Sequence, residues 1–252
     1  MIIAAHPDEP EIYAGGTAAL LARGGHAVKF LTLTNGDGGH HVLERLPLAR
    51  RRAQEARRAA DALGVVDYEI LDVSDGLLEP TVELRMRVMR ELRAWRPDLV
   101  IALHGDGAGH PDNRAAGKLV EHAVELVTVR NLDAGPPLER QPVCLLMTDY
   151  ASRPVHRDDV VVDVDEVIEA KLDACVAHAS QFLEYAPWQR GFLDRAPDAG
   201  DAAACRTFVL EHWAEFLEAE TFQLAGYGRR AGASELRELL PASARAKNVG
   251  ET

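Results

Sequence analysis

The stretch DLVIALHGDGAGHPDN, Asp98 to Asn113, runs an apolar segment into a glycine-rich loop and then into a proline-led polar turn. Leu99 to Leu103 is apolar without alternation, the pattern of a strand covered on both faces rather than one. Arg96-Pro97 ahead of it ends a helix, because proline disfavours helical geometry in the residue before it. The same grammar recurs outward from this point. IIAA (Ile2 to Ala5) runs into HPDE, VKFLTLT (Val28 to Thr34) into NGDGGHH, and YEILDV (Tyr68 to Val73) into SDG. Helical patterns alternate with these runs at Gly16 to Arg23, Leu48 to Leu63, Val82 to Trp95 and Ala115 to Val127. Two more strand-like runs, VCLLMT (Val143 to Thr148) and DVVVDV (Asp159 to Val164), follow. Strand then helix, repeated, predicts an α/β fold with a mainly parallel sheet covered on both faces. Ligands of such sheets bind beyond the carboxyl ends of the strands, where the four histidine-, glycine- and acid-rich segments converge.

The 252 residues, 47% of them hydrophobic, suffice for one domain with its own core, here read as residues 1–252 with a helical and loop extension over about 185–252. A long acidic helix is expected from Asp163 to Tyr185, then helix and loop, with a polar, weakly ordered tail from Ala242 to Thr252. No run approaches the roughly 18 to 20 apolar residues of a membrane span, and the start is too short for a signal peptide, so a cytoplasmic protein is expected. Cys144, Cys175 and Cys205 are odd in number, widely spaced and read as buried free thiols. A net charge of −12 argues against nucleic acid as a partner. The basic cluster Arg50-Arg51-Arg52 with Arg57 and Arg58 reads as the solvated face of an alanine-rich helix, with Arg52 pairing with Glu55 at i, i+3.

In HPDE, Pro7 fixes the backbone so that the two acids that follow project differently. A catalytic zinc site needs about three ligands from His, Asp or Glu and an open position for water, whose proton a neighbouring carboxylate takes. HPDE offers two ligands and a base, and HGDGAGHPDN would complete the set.

AHPDE near the start and HPDN after the fourth strand resemble the AHPDD and HPDH motifs of the PIG-L/LmbE family of N-acetylglucosaminyl-type deacetylases. The resemblance extends to GGT (Gly15 to Thr17), TNGDGGHH (Thr34 to His41), RAQEARRAADALG (Arg52 to Gly64), RPDLV (Arg96 to Val100) and KLDACVAHASQ (Lys171 to Gln181), in order over about the first 185 residues. It implies an LmbE-like, Rossmann-like three-layer fold and a metal-dependent amidohydrolase that removes an acyl group from an N-acylated amino sugar or related small metabolite. It also implies zinc or another divalent metal at His6 and Glu9, Asp8 as general base, and His110 supported by Asp112 at the oxyanion or leaving amine. The third metal position of the family is a histidine; here it is Asn113. Asparagine suits hard cations better than zinc. Three outcomes follow: metal held by His6, Glu9 and Asn113; a substitute recruited from His40, His41, His104, Asp37 or Asp106; or loss of the metal, leaving a pocket that binds a glycosylated or nucleotide-like ligand. Homo-oligomerisation is left open. A dinucleotide-binding protein is disfavoured because GxGxxG is absent after the first strand.

Asp37, His40, Arg52 and His178 are the substrate-binding candidates, each with a plain alternative: a flexible glycine-rich turn, an ion pair, a packed helix histidine. Gly15-Gly16-Thr17 reads as the opening of a helix whose free amides could hold an anion, or as a tight turn. Tyr185 and Trp188 lie where a lid or a docked loop would form.

Overall fold

The computed structural model describes residues 1–152 and 156–247. Its first half alternates without exception: β1 (Ile2–Ala4), α1 (Glu9–Arg23), β2 (Lys29–Thr32), α2 (Arg45–Leu63), β3 (Asp67–Ile70), α3 (Val82–Trp95), β4 (Leu99–Leu103), α4 (Pro111–Leu126) and β5 (Val143–Met147). Then come β6 (Val160–Asp163), α5 (Ile168–Ala177), the single turn α6 (Ala186–Gln189), α7 (Ala202–Trp213), β7 (Ala219–Leu224), α8 (Ala233–Leu239) and β8 (Ala244–Ala246). One eight-stranded sheet runs β3-β2-β1-β4-β5-β7-β6-β8. β1 to β5 pair in parallel, whereas β7 pairs antiparallel with both β5 and β6, and β8 antiparallel with β6. Every residue of β1, β4 and β5 is buried, as their unbroken apolar runs demand.

This topology places the site. The strand order turns back at β1, with β2 on one side and β4 on the other, so a crevice opens between the carboxyl ends of β1 and β4. His6 follows the first of these strands and His110 the second.

Four expectations are corrected. The helix expected from Gly16 begins at Glu9: Asp8 takes a positive φ of 111° and turns the chain into α1, and Pro10 is tolerated because first-turn amides have no intrahelical partner. Gly15-Gly16-Thr17 therefore lies inside α1, where a Cβ on Gly16 would sit 2.5 Å from Val164 Cγ1. The anion at its amides is internal: Gly16 and Thr17 N–H each donate at 2.7 Å to the Glu220 carboxylate of β7, which also pairs with Lys171 at 2.8 Å. The long helix expected from Asp163 to Tyr185 is broken at His178, and a π-helical turn spans Ser180–Tyr185. Residues after 185 are not only helix and loop, since β7 and β8 join the same sheet; the short, half-exposed AETFQL carries too weak an alternation to be read as a strand. Of the expected tail, residues 248–252 lie outside the described residues. All three cysteines are buried and free. No helix among the described residues is long and apolar enough to cross a membrane.

The loop carrying the second histidine motif is held by a close backbone approach. A Cβ on Gly117 of α4 would lie 2.4 Å from Gly105 N and 2.5 Å from the His104 carbonyl carbon, both backbone atoms. Gly117→Ala is expected to destabilise the fold by about 2 kcal/mol despite alanine's helix preference, because overpacking costs more than propensity returns. A melting-temperature drop of roughly 4 to 8 °C checks it, and an unchanged or raised value rejects it.

Candidate active site

Asp8 is the most constrained residue of the first motif. Its backbone at φ 111° is costly for a residue with a Cβ, and one arginine holds its carboxylate and the carbonyl before it. Arg52 Nη2 donates to Asp8 Oδ1 at 2.8 Å and to the Pro7 carbonyl, while Nη1 donates to the Gly36 carbonyl at 3.0 Å. Arg52 is 2% exposed, so it is neither part of a solvated face nor the partner of Glu55. Glu55 instead takes Arg51 at 2.9 Å and the Ser180 hydroxyl at 2.6 Å. The physical reason is depth: a guanidinium facing the sheet can reach the strand-end loops, and two carbonyls and a carboxylate there need a donor. Burial pushes the Asp8 carboxyl up to about 6, with Arg52 opposing the rise.

Glu9 turns the other way. Its Oε2 accepts from the amides of Ala5 and His6 at 2.9 and 2.8 Å, and its Oε1 accepts from Asn113 Nδ2 at 2.7 Å. Asn113 Nδ2 also donates to Asp149 Oδ2 at 3.2 Å, and Asp149 takes Arg114 Nη2 as an ion-pair partner. An amide nitrogen between two carboxylates satisfies both; an amide oxygen there would repel both. Asn113 therefore acts as a donor, and its buried Oδ1 has no partner. In this orientation Asn113 presents to Glu9 a hydrogen-bond donor and not a ligand atom.

A second group of donors surrounds His6. His6 Nε2 lies 3.0 Å from Asp75 Oδ1 and 3.4 Å from Asp112 Oδ2, and its ring meets His110 edge to face at 4.7 Å. One ligand atom each from His6, Asp75 and His110 lies within 4.8 Å of the others. Burial alone would lower the His6 pKa, but Glu9, Asp112 and Asp75 around it hold it well above the usual histidine value. Asp75 is held below the usual carboxylate range against its own burial, chiefly by the His6 hydrogen bond. Glu9 Oε1 stands 3.5 Å behind His6 Nδ1, the place of an outer carboxylate that orients a ligating imidazole.

Asp112 differs from its expected partner. Its carboxylate accepts from the amides of Gly76 and Leu78 at 2.7 and 3.2 Å, tying α4 to the loop after β3, while the His110 ring Nδ1 accepts from the Asp112 amide at 3.3 Å. Asp37 clasps Arg45 at 2.7 Å, the Ser74 hydroxyl at 2.9 Å and the Asp75 amide at 2.9 Å. His40 is locked by Glu184 at 2.9 Å and by the amides of Val42 and Leu43. His178 is fully buried and pairs with Glu11 at 3.0 Å, which gives Glu11 a partner. Burial would lower the His178 pKa, yet Glu11 raises it.

A cavity of about 520 Å³ opens over this floor; His6, Asp8, Glu9, Arg52, Asp75 and His110 face it, and Asp37, His40, Asn113 and His178 do not line it. Its other wall comes from residues after 180, including Gln181, Phe182, Tyr185 and Arg190, with Trp213 and Phe216 behind. Asp75 and Asp149 are the residues that sequence reasoning missed. SDG after the third strand, one of four strand-end segments, was the signal for Asp75; Asp149 follows a fifth strand and carries no motif.

The sequence profile of the family described as PIG-L, GlcNAc-PI de-N-acetylase, matches residues 1–124. A diacetylchitobiose deacetylase of Thermococcus kodakarensis is 33% identical over 193 residues, covering 73% of this chain and 70% of that protein. A probable N-acetyl-α-D-glucosaminyl L-malate deacetylase 2 of Bacillus cereus is 28% identical over 72% of this chain and 82% of its own length. The solved N,N'-diacetylchitobiose deacetylase of Pyrococcus horikoshii superposes with a TM-score of 0.70 at 27% identity, covering 89% of this chain and 82% of that one. With the strand-end site, the shared fold and these N-deacetylase relatives in hand, the chain belongs to the PIG-L/LmbE family.

Proposed function

We propose that the protein is a divalent-metal-dependent N-deacetylase that removes the acetyl group from an N-acetylated amino sugar or a small conjugate of one. The observation that carries this reading is Asp8, a partly buried carboxylate on the cavity floor held by Arg52, next to the His6, Asp75 and His110 donors. His6, Asp75 and His110 would hold the cation, a two-histidine, one-carboxylate set of the kind that leaves a position open. When bound, the ion supplies Lewis acidity and an acidified water.

The chain's own residues do the rest. Asp8 accepts a proton from the attacking water and returns it to the departing amine nitrogen, a task suited to a carboxyl whose pKa burial has moved toward neutrality. Arg52 keeps Asp8 in its turned conformation and, with Nη1 3.9 Å from Asp75 Oδ2, fixes the base relative to the cation donors. Asp112 anchors the loop bearing Asp75 through the Gly76 amide. Glu9 stands against His6 Nδ1 and orients its ring, and Asn113 holds Glu9 in place.

Metal content after purification tests the donor set. Asp75→Asn is expected to lower bound zinc, cobalt or manganese at least tenfold by calorimetric titration, whereas Asn113→Ala leaves the stoichiometry unchanged. The reverse pattern returns the site to His6, Glu9 and Asn113. The donor orientation of Asn113 favours one second reading, a metal-free member that binds a glycosylated ligand without hydrolysis; no cation binding by any form, with no amine release, selects it.

A further inference from the structure

We infer that the substrate carries an anionic group, a carboxylate or phosphate, on the part remote from the amide, and that Arg190 receives it. The inference rests on the deacetylase reading above for the other end of the substrate.

Among the described residues, three arginines line the cavity: Arg45, Arg52 and Arg190. Two are neutralised within the protein, Arg52 by Asp8 at 2.8 Å and Arg45 by Asp37 at 2.7 Å. Arg190 is different. Among the described residues no carboxylate comes within ion-pair distance of it, and its guanidinium lies 5.2 Å from the centroid of the Trp213 ring. That ring is a fixed seat: Trp213 is 5% exposed and meets Phe182 edge to face at 5.2 Å. A guanidinium riding on an indole face keeps its donor edge free while its plane is set, which prepares it for two parallel hydrogen bonds to an oxyanion.

Charge balance sharpens the point. The chain carries −12 overall, so its surface field repels anions in general. An unpaired cation on a cavity wall offsets that field locally and lets an anionic substrate prefer this mouth. Arg190 belongs to the wall built by residues after 180, whereas Asp8, His6, Asp75 and His110 come from the strand-end loops. One ligand spanning the cavity would thus meet Arg190 with one part and Asp8 with another. Gln189 and Tyr185 line the same cavity.

The test compares N-acetylglucosaminides bearing a carboxylate, a phosphate, or the neutral methyl ester as aglycone, on the wild type and on Arg190→Gln. For the wild type, kcat/KM is expected to favour the anionic compounds by about 10- to 100-fold, in the range of one charge-assisted hydrogen-bonded pair. In Arg190→Gln the preference falls to about one while turnover of the neutral compound is unchanged. Whichever anion gains more names the source. An equal preference in both proteins, or none in the wild type, overturns the inference. Binding of the corresponding free amines, followed by calorimetry, separates this from failure of the deacetylase reading. If no acetylated compound is hydrolysed, yet the anionic amine binds the wild type 10- to 100-fold better than its ester and Arg190→Gln abolishes that margin, then hydrolysis fails and the anion site stands.

Discussion

Replacing Asp8 by asparagine is expected to lower kcat for amine release by about 10²- to 10⁴-fold while leaving the melting temperature nearly unchanged, the range of a lost general acid–base group. Asparagine has the same shape, tolerates positive φ better than other residues with a Cβ, and offers an amide oxygen to Arg52 Nη2 where Asp8 Oδ1 now accepts. What it lacks is the ability to take a proton. The substitution therefore removes chemistry without removing the contacts that hold the turn. Arg52→Met makes a contrasting variant: it frees two carbonyls and a partly buried carboxylate together, so both stability and kcat should fall. A loss of less than about threefold in Asp8→Asn, with intact fold and bound metal, would remove Asp8 from the proposed mechanism.

The second large effect is structural. Asp149 is fully buried and accepts from Arg114, from Asn113 Nδ2 at 3.2 Å, and from the amides of Ala151 and Ser152 at 3.0 and 2.7 Å. Asp149→Ala strands the largely buried Arg114 charge, which keeps only the Asp106 carbonyl at 3.0 Å, and leaves two amides without partners. A one-sided break of a buried pair costs about 3 to 5 kcal/mol, more than most substitutions. Urea unfolding should show a lower midpoint with an unchanged slope. Removing both charges, as Arg114→Met with Asp149→Ala, should cost less than the sum of the single changes because no charge is stranded. A single-variant loss below about 1 kcal/mol, or additive losses, would mean that the network behind Glu9 is not coupled.

Both predictions concern residues whose roles were unevenly legible. Asp8 stood out because a polar, proline-fixed segment directly after an apolar run has one physical use in an open parallel sheet. Asp149 follows an equally good strand, VCLLM, but sits in TDY, which resembles any turn. Its importance comes from Arg114 and Asn113, which reach it from α4 across a separation of about 35 residues. Arg52 shows the limit in another way. In a helix of arginines and alanines, charge patterning sends every arginine to solvent, yet only the position of α2 over the strand ends decides which one faces inward. Arg51, its neighbour, does stay half-exposed and pairs with Glu55 and Glu184.

The amino-acid sequence by itself determined the alternation of strand and helix through β5, the segments that meet at the crevice and the family. Those depend on local periodicity and on residues adjacent in the chain. Tertiary structure decided which atoms face each other there. It turned Asn113 into a donor to Glu9, brought Asp75 beside His6, assigned Glu220 to the glycine pair and wove β7 and β8 into the sheet. In each case the partners lie dozens to hundreds of residues apart. Hydrogen-bond satisfaction in a buried space, which chooses between donor and acceptor and between ligand and support, is a property of that assembled space.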